Sequence, residues 1–131
     1  MATTKEIVQT ADWKTEKHVP VIEAEAKLKK GEALKVKVSV GKEIPHPNTT
    51  EHHIAWIAVY FKPQAEKFPY HLGRFDFSSH GASTQGLNTS TVFTSAEAAF
   101  SFKTEKSGSI IAVSYCNIHG LWESSQELIV E

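Results

Sequence analysis

A-L-K-V-K-V-S-V, residues Ala33 to Val40, sets Leu34, Val36, Val38 and Val40 on one side of an extended chain and Lys35, Lys37 and Ser39 on the other. Successive side chains of a strand point to opposite faces, so this alternation predicts a strand half-buried against a core. Further along, His53 to Phe61 reads H-I-A-W-I-A-V-Y-F and is closed by Lys62-Pro63. Rich in β-branched and aromatic residues but without alternation, it suits a strand buried on both faces, hence central in a sheet.

Outward from these two, strands are expected at Val19 to Glu25, Ala98 to Lys103, Ser109 to Tyr115 and Glu127 to Val130, and at Tyr70 to Ser78, where Phe75 and Phe77 alternate with Arg74 and Asp76. Breaks at Lys30-Gly31, Lys62-Pro63, His80-Gly81, Gln85-Gly86 and Ser107-Gly108 separate them. Nothing sustains the 3.6-residue period of a long amphipathic helix. The expected class is all-β, a two-sheet β-sandwich of about seven strands.

With 131 residues and no Gly/Ser/Pro-rich divider, the chain reads as a single domain over residues 1–131. Hydrophobic residues make up 40% and charged residues 22%, enough to bury a core and unlike a disordered chain. Net charge is −1, so no basic field gathers phosphate backbones and nucleic acid is not an expected partner. The first residues lack an apolar leader core, and no run is long enough to span a membrane. Cys116 is the one cysteine. It has no partner for an internal disulfide, and a free thiol fits a reducing compartment, so the expected location is cytoplasmic.

Seven histidines are the main lead. Candidate metal ligands gather in three places: Glu16-Lys17-His18 before the first strand, His46-Pro47-Asn48-Thr49-Thr50-Glu51-His52 before the central strand, and Cys116-Asn117-Ile118-His119 after the strand ending at Tyr115. Strand ends collect at the rims of a sandwich, where distant segments can meet on a rigid scaffold.

Cys116-x-x-His119 has the spacing at which a thiolate and an imidazole from one loop share a metal; the plain alternative is a buried cysteine beside a turn histidine. His46, between two prolines, sits on stiff extended backbone that suits a ligand or a proline-rich surface loop. Asn48 to Glu51 can form a capped turn aiming His52, with Glu51 closing the cap. His53 alternates away from His52, so only one of the two can easily face the site, and His71 and His80, without nearby partners of ligand type, read as surface or hydrogen-bonded residues. If the three clusters converge, they supply four imidazoles, one thiolate and one carboxylate. Such a set suits a transition metal preferring five or six donors; iron fits, and donor counting leaves other metals open.

The blocks D-W-K-T-E-K-H-V-P-V-I-E (Asp12 to Glu23), V-G-K-E-I-P-H-P-N-T-T-E-H-H-I (Val40 to Ile54) and S-Y-C-N-I-H-G-L-W-E (Ser114 to Glu123) resemble the iron-site blocks of the superoxide reductases of neelaredoxin type. The similarity runs over nearly the whole chain. It implies an immunoglobulin-like sandwich holding one mononuclear non-haem iron, with His18, His46, His52 and His119 as equatorial ligands and Cys116 as axial thiolate. It further implies that Glu16 takes the sixth position in the oxidised resting state and that Lys17 borders the open face. The implied activity is reduction of superoxide to hydrogen peroxide. Two-domain relatives, the desulfoferrodoxins, carry a second iron centre needing four cysteines, which a chain with one cysteine lacks. Electrons would then come from an external rubredoxin-like donor, and the family implies a homo-oligomer, a tetramer among the options. The rival from another class is a blue-copper electron carrier. That site uses two histidines, a cysteine and often an axial methionine, whereas here Met1 is the sole methionine. A metal-free interaction module is the plain alternative.

Overall fold

The computed structural model describes residues 1–131. In chain order the elements are a short helix α1 (Thr4–Ile7) and nine strands: β1 (Val8–Gln9), β2 (Val21–Glu23), β3 (Lys27–Leu28), β4 (Leu34–Ser39), β5 (Ile54–Pro63), β6 (Tyr70–Asp76), β7 (Glu97–Phe102), β8 (Gly108–Cys116) and β9 (Gly120–Val130). One sheet has the order β1-β9-β8-β5-β6, with β3 also pairing β9, and the other the order β2-β4-β7. The all-β sandwich expected from the alternation is therefore present, with two more strands than the seven anticipated. The extra ones, β1 and β3, are two-residue strands parallel to β9 and too short to leave a periodic signal.

β4 repeats the sequence pattern: Leu34, Val36 and Val38 are buried while Lys35 and Lys37 are exposed. These side chains face Ile57, Val59 and Phe61 of β5 and Ile110 and Ala112 of β8 across the core, with Leu28 and Leu128 in the same cluster. Cys116 belongs to that cluster too and is fully buried, which places its sulfur where the core meets the rim.

Three expectations need correction. β2 is shorter than Val19 to Glu25 because Pro20 has no N–H for a ladder, although Val19 and Pro20 are buried beside the strand. β9 begins at Gly120, well before Glu127, since pairing with β8 along its whole length imposes the extended form on the weakly patterned G-L-W-E-S-S-Q. β5 is central, but its two faces differ. Ile57, Val59 and Phe61 enter the core, while Trp56 and Tyr60 on the outer face are only half-buried, against Tyr115 and His71 respectively.

Two backbone irregularities lie next to the rim that matters. The β5–β8 register shifts between Ile54 and Trp56, one pair away from Cys116. Such a bulge bends the strand and re-aims the chain leading into it. At the other side of Cys116, β8 and β9 are joined through Asn117-Ile118-His119, and Gly120 closes this three-residue hairpin with φ +81°. That left-handed conformation costs an L-residue and suits glycine.

Candidate metal centre

His18 follows a turn built on Asp12, whose carboxylate accepts the Lys14 N–H at 3.0 Å and whose carbonyl accepts the Glu16 N–H at 3.0 Å. Glu16 then folds back. Its Oε1 accepts the His18 backbone N–H at 2.9 Å and the ring Nδ1–H at 2.6 Å. A proton committed to Nδ1 leaves the lone pair on Nε2, the tautomer that a carboxylate-oriented metal-binding histidine requires. Desolvation raises the Glu16 pKa, but the hydrogen bonds from His18 outweigh it and hold the carboxyl below its ordinary value.

His46 uses the proline frame in the same way. Its Nδ1–H donates to the Pro47 carbonyl at 2.7 Å, which turns Nε2 away from the loop. That Nε2 is buried and has no hydrogen-bond partner. Desolvation is the main reason its pKa is pushed down to about 4, so the ring is neutral and its lone pair free at ordinary pH. Burial, then the charge of His119, lowers His52 as well.

His52 is presented by the turn foreseen at Asn48 to Glu51, with one correction. The cap is closed by Thr49, whose Oγ1 accepts the His52 N–H at 3.1 Å while its own N–H donates to the His52 carbonyl at 2.9 Å. Glu51 instead receives Thr50 Oγ1 and Asn88 Nδ2, both at distances of 2.8 to 2.9 Å, and so anchors the loop that carries Asn88. Thr49 is the better cap because its short side chain reaches the N–H three residues on without folding back.

His119 points its Nδ1 inward. The hairpin also turns the His119 backbone N–H toward the Cys116 sulfur, at 3.4 Å.

These side chains meet. His119 Nδ1 is 3.1 Å from His18 Nε2, 3.2 Å from His52 Nε2 and 3.8 Å from Cys116 Sγ. The ligating atoms of His18, His52, Cys116 and His119 all lie within 4.8 Å of one another. Going round, the ring centroids are separated by 4.9 Å (His18–His46), 4.7 Å (His46–His52), 5.0 Å (His52–His119) and 4.7 Å (His119–His18), and the His18–His52 diagonal is 6.3 Å. The four rings thus form a closed quadrilateral beside a buried sulfur, with the His46 ring completing it although its nitrogen lies outside the 4.8 Å group.

The protons do not account for this arrangement. His119 Nδ1 holds at most one proton for two nitrogen neighbours, and His46 Nε2 has no partner at all. Lone pairs this close repel unless a cation lies among them. Two nitrogens bound at right angles to a metal, each at about 2.1 Å, stand about 3.0 Å apart, close to the spacings found. The residues therefore fit a metal, and four imidazoles with one thiolate match iron better than a two-histidine copper site.

The other sequence candidates fall outside the ligand cluster or at its border. Lys17 is half-buried, and its charge lowers the pKa of both His46 and His52, so its field reaches the site. Glu16 touches His18 and is not among the converging atoms. His53 donates from Nδ1 to the Thr49 carbonyl and stacks on His80 at 3.7 Å, and His71 is exposed beside Tyr60. His80 is buried, with Nε2 on the Phe77 carbonyl.

Sequence reading overlooked the side-chain roles of Asn117 and Trp122. Asn117 joins the hairpin to the His52 loop: its Oδ1 accepts the His53 N–H at 2.8 Å and its Nδ2 donates to the Glu51 carbonyl at 2.9 Å. Trp122 stacks on His18 with centroids 5.0 Å apart and planes 14° from parallel. Their places, directly after Cys116 and three residues after His119, were the available signal.

A family model for desulfoferrodoxin matches residues 10–125. The chain is 58% identical to superoxide reductase of Pyrococcus furiosus, over 94% of this chain and 97% of that one. To neelaredoxin of Megalodesulfovibrio gigas it is 50% identical, over 96% and 97% of the two chains. The structure of superoxide reductase (neelaredoxin) from Archaeoglobus fulgidus in the reduced form matches with a TM-score of 0.88 at 61% identity, covering 95% of this chain and 99% of that chain.

Proposed function

The chain belongs to the desulfoferrodoxin family, and from that premise we propose that it is a superoxide reductase acting through one mononuclear non-haem iron held by His18, His46, His52, His119 and Cys116. The reaction joins superoxide, one electron and two protons to give hydrogen peroxide. The observation that carries the reading is the convergence of imidazole lone pairs beside a buried sulfur, with His46 Nε2 left without any partner in the protein. When bound, ferrous iron supplies the electron to superoxide.

The protein residues prepare that event. Glu16 and the Pro47 carbonyl engage the Nδ1 atoms of His18 and His46, which directs the Nε2 of each ring toward the site. The His119 N–H on the Cys116 sulfur moderates its electron donation, the lever by which hydrogen bonds to a ligating sulfur tune a metal site. Lys17 draws the anionic substrate and offers protons carried by water, an attraction that salt screens. Glu16 is the carboxylate that would complete the ligand set of an oxidised iron there, and to do so it would have to leave His18.

We read residues 1–131 as one iron-binding domain, located in the cytoplasm. No helix of the fold is long and apolar enough to cross a membrane. Electrons come from an external rubredoxin-like donor, and the chain assembles as a homo-oligomer, a tetramer among the options. The deciding experiment adds superoxide anaerobically to the ferrous protein. Peroxide without dioxygen, with oxidation of one iron per chain, is expected; dioxygen in equal amount to peroxide would show a dismutase, and a chain that takes up copper but no iron would show a carrier.

A further inference from the structure

Ser114 of β8 and Trp122 of β9 stand directly opposite each other in the ladder, and both side chains reach the loop that supplies His18. Ser114 is fully buried and its Oγ–H donates to the His18 carbonyl at 2.9 Å, which fixes the backbone of that residue. The Trp122 indole lies against the His18 imidazole, 5.0 Å between centroids and 14° from parallel. From its other edge, Nε1–H donates to the His119 carbonyl at 3.2 Å. One side chain therefore touches two members of the ligand set through different atoms.

The geometry points to Trp122 as a positioning residue for the iron, an inference that rests on the iron reading of the site. Glu16 holds the His18 ring at Nδ1 alone, its other bond being to the His18 backbone N–H, and a single hydrogen bond leaves an imidazole free to swing about that contact. The flat face of the indole removes this freedom and keeps the Nε2 lone pair aimed at the centre. The bond to the His119 carbonyl does the same for the hairpin turn, so the two rings whose nitrogens are 3.1 Å apart are held by one rigid group. Partners that orient metal ligands in this way change metal affinity by roughly ten- to a hundredfold when removed.

The test uses Fe(II), bound anaerobically, with affinity read by competition against a chelator and the ligand field read from the absorption of the ferric form. Trp122→Ala is expected to bind Fe(II) roughly ten- to a hundredfold more weakly and to shift the ferric absorption. Trp122→Phe, which keeps a flat face on His18 but has no N–H for His119, is expected to recover most of the loss. Phe68→Ala, which removes an exposed ring from the β5–β6 connection at the opposite end of β5, serves as control and should leave affinity unchanged. An alanine variant with the parent's affinity and spectrum would overturn the proposal, as would a control that weakens binding equally. Should Trp122→Ala not fold, Trp122→Leu fills the space without a ring face or donor and carries the same expectation. A parent that binds no Fe(II) removes the metal reading itself and is told apart by that first measurement.

Discussion

Individual side chains at this site are set by where their protons go. The pKa of His46 is pushed down to about 4 by desolvation, and His52 is lowered by burial and by His119, from an ordinary value near 6.5. In the unfolded chain both rings return to the ordinary value, so between pH 6.5 and about 4 the unfolded state binds more protons than the folded one. The metal-free protein should accordingly be most stable above this window and lose stability as the pH falls through it. Denaturant titrations at pH 7.5 and pH 5 measure this, and equal midpoints would contradict the assignment. Changing Cys116 to Ser should abolish sulfur-to-iron charge transfer and most activity, since the thiolate is the strong donor; a variant keeping both would displace Cys116 from the ligand set. For Lys17→Ala the reduction rate should fall at low ionic strength and converge with the parent rate as salt is added. A rate equal to the parent's at low salt removes the steering role.

At the scale of elements, the site depends on loops being tied to one another more than on any strand. Asn117 bonds the β8–β9 hairpin to the His52 loop through two side-chain contacts, and its own N–H donates to the His53 carbonyl at 3.2 Å. Asn117→Ala should lower stability by about 0.5–1.5 kcal/mol, the net worth of a typical hydrogen bond whose freed partners water can reach. It should also weaken iron binding, because His52 and the His119 hairpin lose their common tie. Gly41 makes a second such joint: φ is +91°, and a Cβ there would come within 3.0 Å of the His46 backbone nitrogen. Gly41→Ala is expected to destabilise the chain by about 1 kcal/mol or more and to displace His46, read as a drop in thermal midpoint together with weaker iron retention. A variant with the parent's midpoint and iron content would show that this approach constrains nothing.

The whole molecule presents a sandwich whose rim gathers ligands from three separated stretches while Cys116 remains part of the hydrophobic core. Iron binding should therefore stabilise the entire fold and not only its loops, because only the folded chain brings these donors together. The gain follows ligand linkage, about 2.7 kcal/mol when free metal is a hundredfold above its dissociation constant. Scanning calorimetry of the iron-loaded and metal-free protein tests this, and identical midpoints would imply that the donors do not act as one site. With a net charge of −1, the protein has no large field of its own, so attraction of an anion depends on local groups such as Lys17.

Short-range pattern was enough to give the sandwich class and the half-buried β4, because period-two alternation is a local property that the pleat converts directly into an inner and an outer face. It also marked His18, His52, Cys116 and His119, whose ligating atoms gather within 4.8 Å of one another, and proline-flanked His46, whose ring lies beside those of His18 and His52. The full length of β9, the Thr49 cap, the Glu16 contact with His18 and the roles of Asn117 and Trp122 came only from the folded chain. For β9, Asn117 and Trp122 the partners are brought close by pairing and packing, which leaves no periodic trace in the order of residues, while the Thr49 cap and the Glu16 contact span only three and two residues, where several side chains compete and the folded loop decides which one bonds.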